Sequence, residues 1–166
     1  MENLFVKVLE QTRQPVFYRK LAVPDSLDGR FDLLCLNCHL VVRRLKKIES
    51  PAAESFAQQF IDRLCTEFER TARDIGVSDV SVGKHVKRMT EAYYGRAEAY
   101  EAALVQEGND ELVAALSRNI YAQGAVDEQI EQAKALALFV RTFVDDLNGQ
   151  SEDKVLEGQV EFLLPQ

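Results

Sequence analysis

Apolar side chains recur three or four positions apart along almost the whole chain, and no alternating strand pattern appears before the last few residues, so the spacing predicts an all-α protein. A first helix spans about residues 2–12 and meets Pro15; Val16 to Leu21 resumes it as a short second piece before the Val23-Pro24 break, which bends the entry segment. Asp25 is placed to cap the next helix, with Asp28 near its positive end and Gly29 relieving crowding where it starts. That helix runs to about Ile48, and Phe31, Leu33, Leu34, Leu36, Leu40, Val41, Val42 and Leu45 cover nearly every face of it. A helix that is apolar all round is surrounded by others, so it is the expected centre of the fold.

Ser50-Pro51 and Gly76 punctuate a third long helix over about 51–75, whose stripe is Phe56, Phe60, Leu64, Phe68, Ala72 and Ile75. A fourth covers about 82–106 through Val82, Val86, Met89, Tyr93, Ala97, Tyr100 and Leu104, and Gly108-Asn109 ends it and opens the next. The final helices carry Leu112, Leu116 and Ile120, then Ile130 to Leu147; Gly124 separates them and Gly149 stops the last. The expectation is a single-domain bundle of about six helices over residues 1–149, followed by a C-terminal tail, 150–166, that either docks as an extended segment or stays loose.

Length and composition agree with this picture: 166 residues, 46% hydrophobic and 28% charged, suffice for one buried core without disulfides or metal. Charge is unevenly spread. Residues 1–96 hold 16 Lys+Arg against 13 Asp+Glu, a balance of +3, whereas 97–166 hold 4 against 14, a balance of −10. Such a net-acidic chain is unsuited to wrapping nucleic acid, but a local basic patch still allows docking on an anionic surface. The first ten residues lack a basic, then apolar, leader, and the longest apolar run, Phe31 to Val42, is interrupted by Asp32, Asn37 and His39, so the expectation is a cytoplasmic protein, at most peripheral at the inner face of the membrane. Three cysteines without an export signal read as reduced thiols.

Cys35-Leu-Asn-Cys38-His39 has the spacing by which c-type haem is attached. It lies in the most apolar helix, where small thiols are ordinary core residues, and this favours packing over a cofactor. Zinc lacks a set of about four ligands, hydrolase templates lack a nucleophile elbow, and no glycine-rich loop cradles phosphate, so neither an enzyme nor a metal or cofactor site is expected. What remains is surface. Arg43, Arg44, Lys46 and Lys47, with Lys84, Lys87 and Arg88, form one basic docking patch if their helices adjoin, or two separate solvated helix ends if they do not. Gly95 costs about 1 kcal/mol relative to Ala inside a helix, which points to a close approach, a bend or a docking groove beside Tyr93, Tyr94 and Arg96.

Val23-Pro-Asp-Ser-Leu-Asp-Gly-Arg-Phe31, Leu40-Val-Val-Arg-Arg-Leu45, Ile75-Gly-Val-Ser-Asp79, Lys84-His-Val-Lys-Arg-Met89 and Ala92-Tyr-Tyr-Gly-Arg-Ala97, in this order over roughly residues 12–147, resemble the ubiquinol-cytochrome c chaperone family, in its bacterial branch. The resemblance implies a non-enzymatic assembly factor for the cytochrome bc1 complex that engages newly made cytochrome b. In mitochondria such a factor works with a small partner protein and at the ribosome. It further implies a client or partner surface at Tyr93, Tyr94, Gly95 and Arg96, with Asp25, Gly29 and Arg30 shaping the adjoining face and the basic residues holding the protein near ribosomal RNA or anionic lipid. Arg30 and Arg96 have an equal claim to be structural, each pairing with an acid. The rival readings are a haem-binding protein through Cys35, Cys38 and His39, and a generic helical scaffold on a membrane surface.

Overall fold

Eight helices follow one another along the chain: α1 (Glu2–Thr12), α2 (Pro15–Arg19), α3 (Leu27–Lys46), α4 (Pro51–Asp74), α5 (Asp79–Leu104), α6 (Asp110–Asn119), α7 (Asp127–Gly149) and α8 (Glu152–Leu156). The structure is a computed structural model and describes residues 1–121 and 127–165; the expected break at Gly124 lies outside them. Six of the helices are long and two have five residues, and among the described residues there is no strand.

α3 is the centre. It packs against α1, α4, α5 and α7, and its buried residues run from Gly29 to Leu45 on all sides. Its polar interruptions are absorbed by neighbours: Asn37 Nδ2 donates to Thr12 Oγ1 at 3.2 Å, and Asp32 faces Arg96. The N-cap is Ser26, whose hydroxyl accepts from Gly29 N, and not Asp25, because Asp25 is turned outward to Arg30 at 2.8 Å. Gly29 is demanded by a neighbour: a Cβ there would stand 2.0 Å from the Pro24 carbonyl oxygen.

α4 begins on Ser50, which caps Ala53 N, and continues with Pro51 in the first turn. Its end is tied to the start of α5 by an Arg73–Asp79 ion pair across the Gly76 turn, where φ is +86°. α5 starts three residues earlier than the periodicity indicates, after Ser78, since its first residues, Asp79 and Val80, are exposed and take no part in the buried stripe that marks the helix in the sequence. Arg141 of α7 donates to the carbonyls of Ala103, Leu104, Gln106 and Gly108 and to Asn109 Oδ1, satisfying the carbonyls left open where α5 ends. The C-terminal segment returns over α1: Lys7 Nζ donates to Val160 O at 3.0 Å and Gln11 Nε2 to Leu163 O at 2.6 Å, with Val155 and Val160 buried.

Candidate functional site

α5 lies across α3 and α4 and leaves an open groove on either side of itself. The first is a cleft of about 570 Å³ between α3 and α5. Val42, Ile61, Tyr93 and Ala97 make its apolar floor, and Arg43, Lys46 and Lys47 from the last turns of α3 stand along one wall. Tyr93 is 2% exposed and belongs to the core; Tyr94 is 50% exposed, with its ring edge-on to that of Tyr93 at 5.3 Å. Of the two tyrosines, Tyr94 therefore presents contact area at the surface. The cleft continues over the start of α4, where Leu45, Ser50, Pro51 and Ala57 line a depression that shares Lys46, Ile61 and Tyr94 with it.

The second wall is α5 itself, carrying Glu98 and Glu101. Glu101 Oε2 accepts from Arg43 Nε at 2.8 Å and lies 3.5 Å from His39 Nε2. The latter contact is not an ion pair at neutral pH, because burial, reinforced by Arg43 and Lys46, holds the His39 imidazole down to about 4. The His39 side chain is 7% exposed, and its Nε2 makes no hydrogen bond among the described residues.

The second groove, of about 750 Å³, lies beside the first turns of α3 and the end of α4. Phe31, Leu34, Phe68 and Met89 form its floor. Asp25 and Arg30 are on its rim as an exposed pair, 2.8 Å apart, and Arg70 meets both Glu67 and Asp74. Hydrogen bonds from Arg70 and Arg63 hold the Glu67 carboxyl below its ordinary range despite its burial. Arg96 joins α5 to the start of α3. Its guanidinium lies over the Phe31 ring at 5.2 Å and its Nη2 is 2.7 Å from Asp32 Oδ1, an ion pair whose N–H direction is not aligned on the oxygen. Burial raises the Asp32 carboxyl to about 6, the charge of Arg96 opposing the rise. Arg96 thus has the structural role of partner to a buried acid.

The remaining expected residues divide. Gly95 is exposed on an unbroken α5, with nothing within 4 Å of where a Cβ would be, so no packing inside this chain requires it. Arg44 leaves the basic patch for the interior, donating to Leu147 O at 2.8 Å and to Gln150 O at 3.0 Å at the end of α7. Lys84, Lys87 and Arg88 are exposed in the early turns of α5, five to nine residues before Tyr93, the first residue of α5 to line the cleft, and none of the three lines it. They do not join the α3 cations. Sequence reasoning missed His39 and Glu101 as cleft residues; the only sign was that His39 interrupts an apolar run. Cys35 and Cys38 are buried in the core, and burial raises both thiols. A porphyrin cannot reach both sulfurs in this fold, which sets the haem reading aside.

Two comparisons place the chain among known proteins. The family model for ubiquinol-cytochrome C chaperone matches residues 19–162. The crystal structure of the Cbp3 homolog from Brucella abortus superposes with a TM-score of 0.87 at 30% sequence identity, covering 97% of this chain and 87% of that one. No curated protein sequence matches.

Proposed function

The chain belongs to the ubiquinol-cytochrome c chaperone family and is a non-enzymatic assembly factor, and from that premise we propose that it holds newly made cytochrome b for assembly of the cytochrome bc1 complex. One observation carries the placement of the client: the cleft between α3 and α5 sets a half-exposed Tyr94 over an apolar floor, beside unpaired cations. An apolar client helix fits such a groove, burying its side chains on Tyr94, Val42 and Ile61. Exposed Gly95 next to Tyr94 gives a client backbone room to approach α5 closely. Asp25 and Arg30 shape the neighbouring groove, which offers room for a small partner protein.

The cations at the start of α5 form a second docking surface. Val80, 97% exposed, shares one helix face with Lys84, Lys87 and Arg88 at spacings of four, seven and eight residues. An apolar residue among cations suits the inner face of an anionic membrane better than ribosomal RNA, which has no use for the valine. No described helix is long and apolar enough to cross a membrane.

The test is recovery of cytochrome b from solubilised, actively translating cells after crosslinking, comparing the wild type with Tyr94→Ala and Lys46→Gln/Lys47→Gln variants whose folding is verified. Recovery by the wild type with loss in the variants is the expected result. Equal recovery by all three would move the client off this cleft, and no recovery by the wild type would remove cytochrome b as the client. For the second surface, flotation with anionic but not neutral vesicles is expected, with loss in Val80→Asp.

A further inference from the structure

The cleft contains more polar chemistry than an apolar helix needs. Lys46 and Lys47 are exposed on its wall and make no ion pair among the described residues. His39 Nε2 is buried at its back without a hydrogen-bond partner, which for a protein interior is unusual and leaves a donor or acceptor open toward the cleft. The chain already places two carboxylates on the facing wall, Glu98 and Glu101, and of these Glu101 Oε2 accepts from Arg43 Nε and stands 3.5 Å from His39 Nε2. Glu101 is 45% exposed, so it lies at the mouth and not in the core.

We infer that the cleft selects an apolar helical segment that carries a carboxylate side chain, received between His39, Arg43 and the Lys46–Lys47 wall while Tyr94, Val42 and Ile61 cover its apolar face. The inference rests on the proposed client reading and adds to it the chemistry of the bound segment. The matching is electrostatic and geometric. A carboxylate entering a helix-lined apolar groove loses water, and only a cationic wall with an open donor compensates it. His39 supplies that donor in the tautomer with its proton on Nε2. Lys46 and Lys47 supply the charge, and Glu101 is the internal acid that the incoming group competes with for Arg43. A segment bearing lysine at the same place meets like charge, and one bearing glutamine leaves the cations unmatched.

The experiment titrates the full chain with three labelled Leu/Ala-rich helical peptides, identical except for a central Glu, Gln or Lys, followed by fluorescence anisotropy. The Glu peptide is expected to bind about tenfold or more tighter than the Gln peptide, as a charge-assisted contact is stronger than a neutral one. Lys46→Gln/Lys47→Gln should abolish that preference. Glu101→Gln should strengthen binding of the Glu peptide, while Glu111→Gln on α6, the same change in net charge away from the cleft, should not. Equal binding of Glu and Gln peptides, or an equal gain in the two glutamine variants, overturns the inference. If all three peptides bind equally and Tyr94→Ala releases them, the client cleft stands and only the carboxylate preference fails. If the folded protein recovers cytochrome b yet binds none of the peptides, both the preference and the placement fail. Anionic vesicles that bind through Lys46 and Lys47 with no peptide preference would assign these cations to a lipid surface and also overturn it.

Discussion

The two grooves differ in how their carboxylates are matched. In the groove beside the first turns of α3, each carboxylate on the lining has an arginine of the same groove, Asp25 with Arg30 and Glu67 and Asp74 with Arg70, while Arg13 and Arg19 on the same lining make no ion pair among the described residues. In the cleft, Glu101 has Arg43, but among the described residues Glu98, Lys46 and Lys47 make no ion pair and His39 Nε2 makes no hydrogen bond. Self-matched charges add little affinity for anything else, because a ligand must first break them. Unmatched groups beside a tyrosine and an apolar floor leave interaction free energy for a partner. The contrast separates residues that hold α3 and α5 in place from residues that face outward.

The largest effect should come from the ion pair that joins α5 to α3 beneath the grooves. Arg96→Ala leaves the Asp32 carboxylate buried without its counter-ion and is expected to destabilise the protein by about 4 kcal/mol at pH 7, measured by urea unfolding. Gly29→Ala drives a Cβ into the Pro24 carbonyl, and a loss of about 3 kcal/mol should follow, with α3 displaced at its start. A value near zero for either would mean that the first turn of α3 relaxes freely.

The two buried titratable groups of α3 respond oppositely to acid. Asp32 has its carboxyl raised from 3.8 to about 6, so its native form holds the proton more tightly, and the stability it contributes is present at low pH and lost as pH rises between these values. His39 is lowered from 6.5 to about 4, so the native form sheds its proton first and stability is lost as pH falls through that window. Relative to the wild type, His39→Gln should therefore gain about 2–3 kcal/mol on going from pH 7 to pH 4.5, by urea unfolding at each pH. Asp32→Asn should shift the other way, its relative stability higher at pH 7 than at pH 4.5. Two shifts of the same sign would contradict the opposed burial of an acid and a base.

The smallest stability effects belong to the surface. Tyr94→Ala is expected to change unfolding free energy by no more than about 1 kcal/mol while lowering recovery of cytochrome b several-fold. Arg30→Gln should change stability by less than about 0.5 kcal/mol, since its pair with Asp25 is exposed, and should leave recovery intact. Loss of recovery in Arg30→Gln with Tyr94→Ala unaffected would exchange the roles of the two grooves.

Much of this architecture is legible along the chain. Helix periodicity, the Ser50-Pro51 start, the Gly76 stop and the all-round apolar α3 are local features, set by spacing, capping and backbone freedom, and they identify the fold class and the central helix. The motif order from Val23 to Ala97 identifies the family for the same reason, as the pattern is linear. Spatial matching is not linear. Whether a cation is docked or open depends on which carbonyl or carboxylate a distant segment brings to it: Arg44 meets the end of α7, Arg43 meets Glu101, and their neighbours Lys46 and Lys47 meet no acid among the described residues. Arg96 meets a buried acid that lies 64 positions away, and Tyr93 and Tyr94, adjacent in sequence, end one buried and one half-exposed because one helical step rotates a side chain by about 100°. The sequence by itself determined the helices, their order and the kin of this protein. Only the tertiary structure decided which polar groups satisfy one another and which stay open, because that pairing is a property of distances between helices and not of position along one of them.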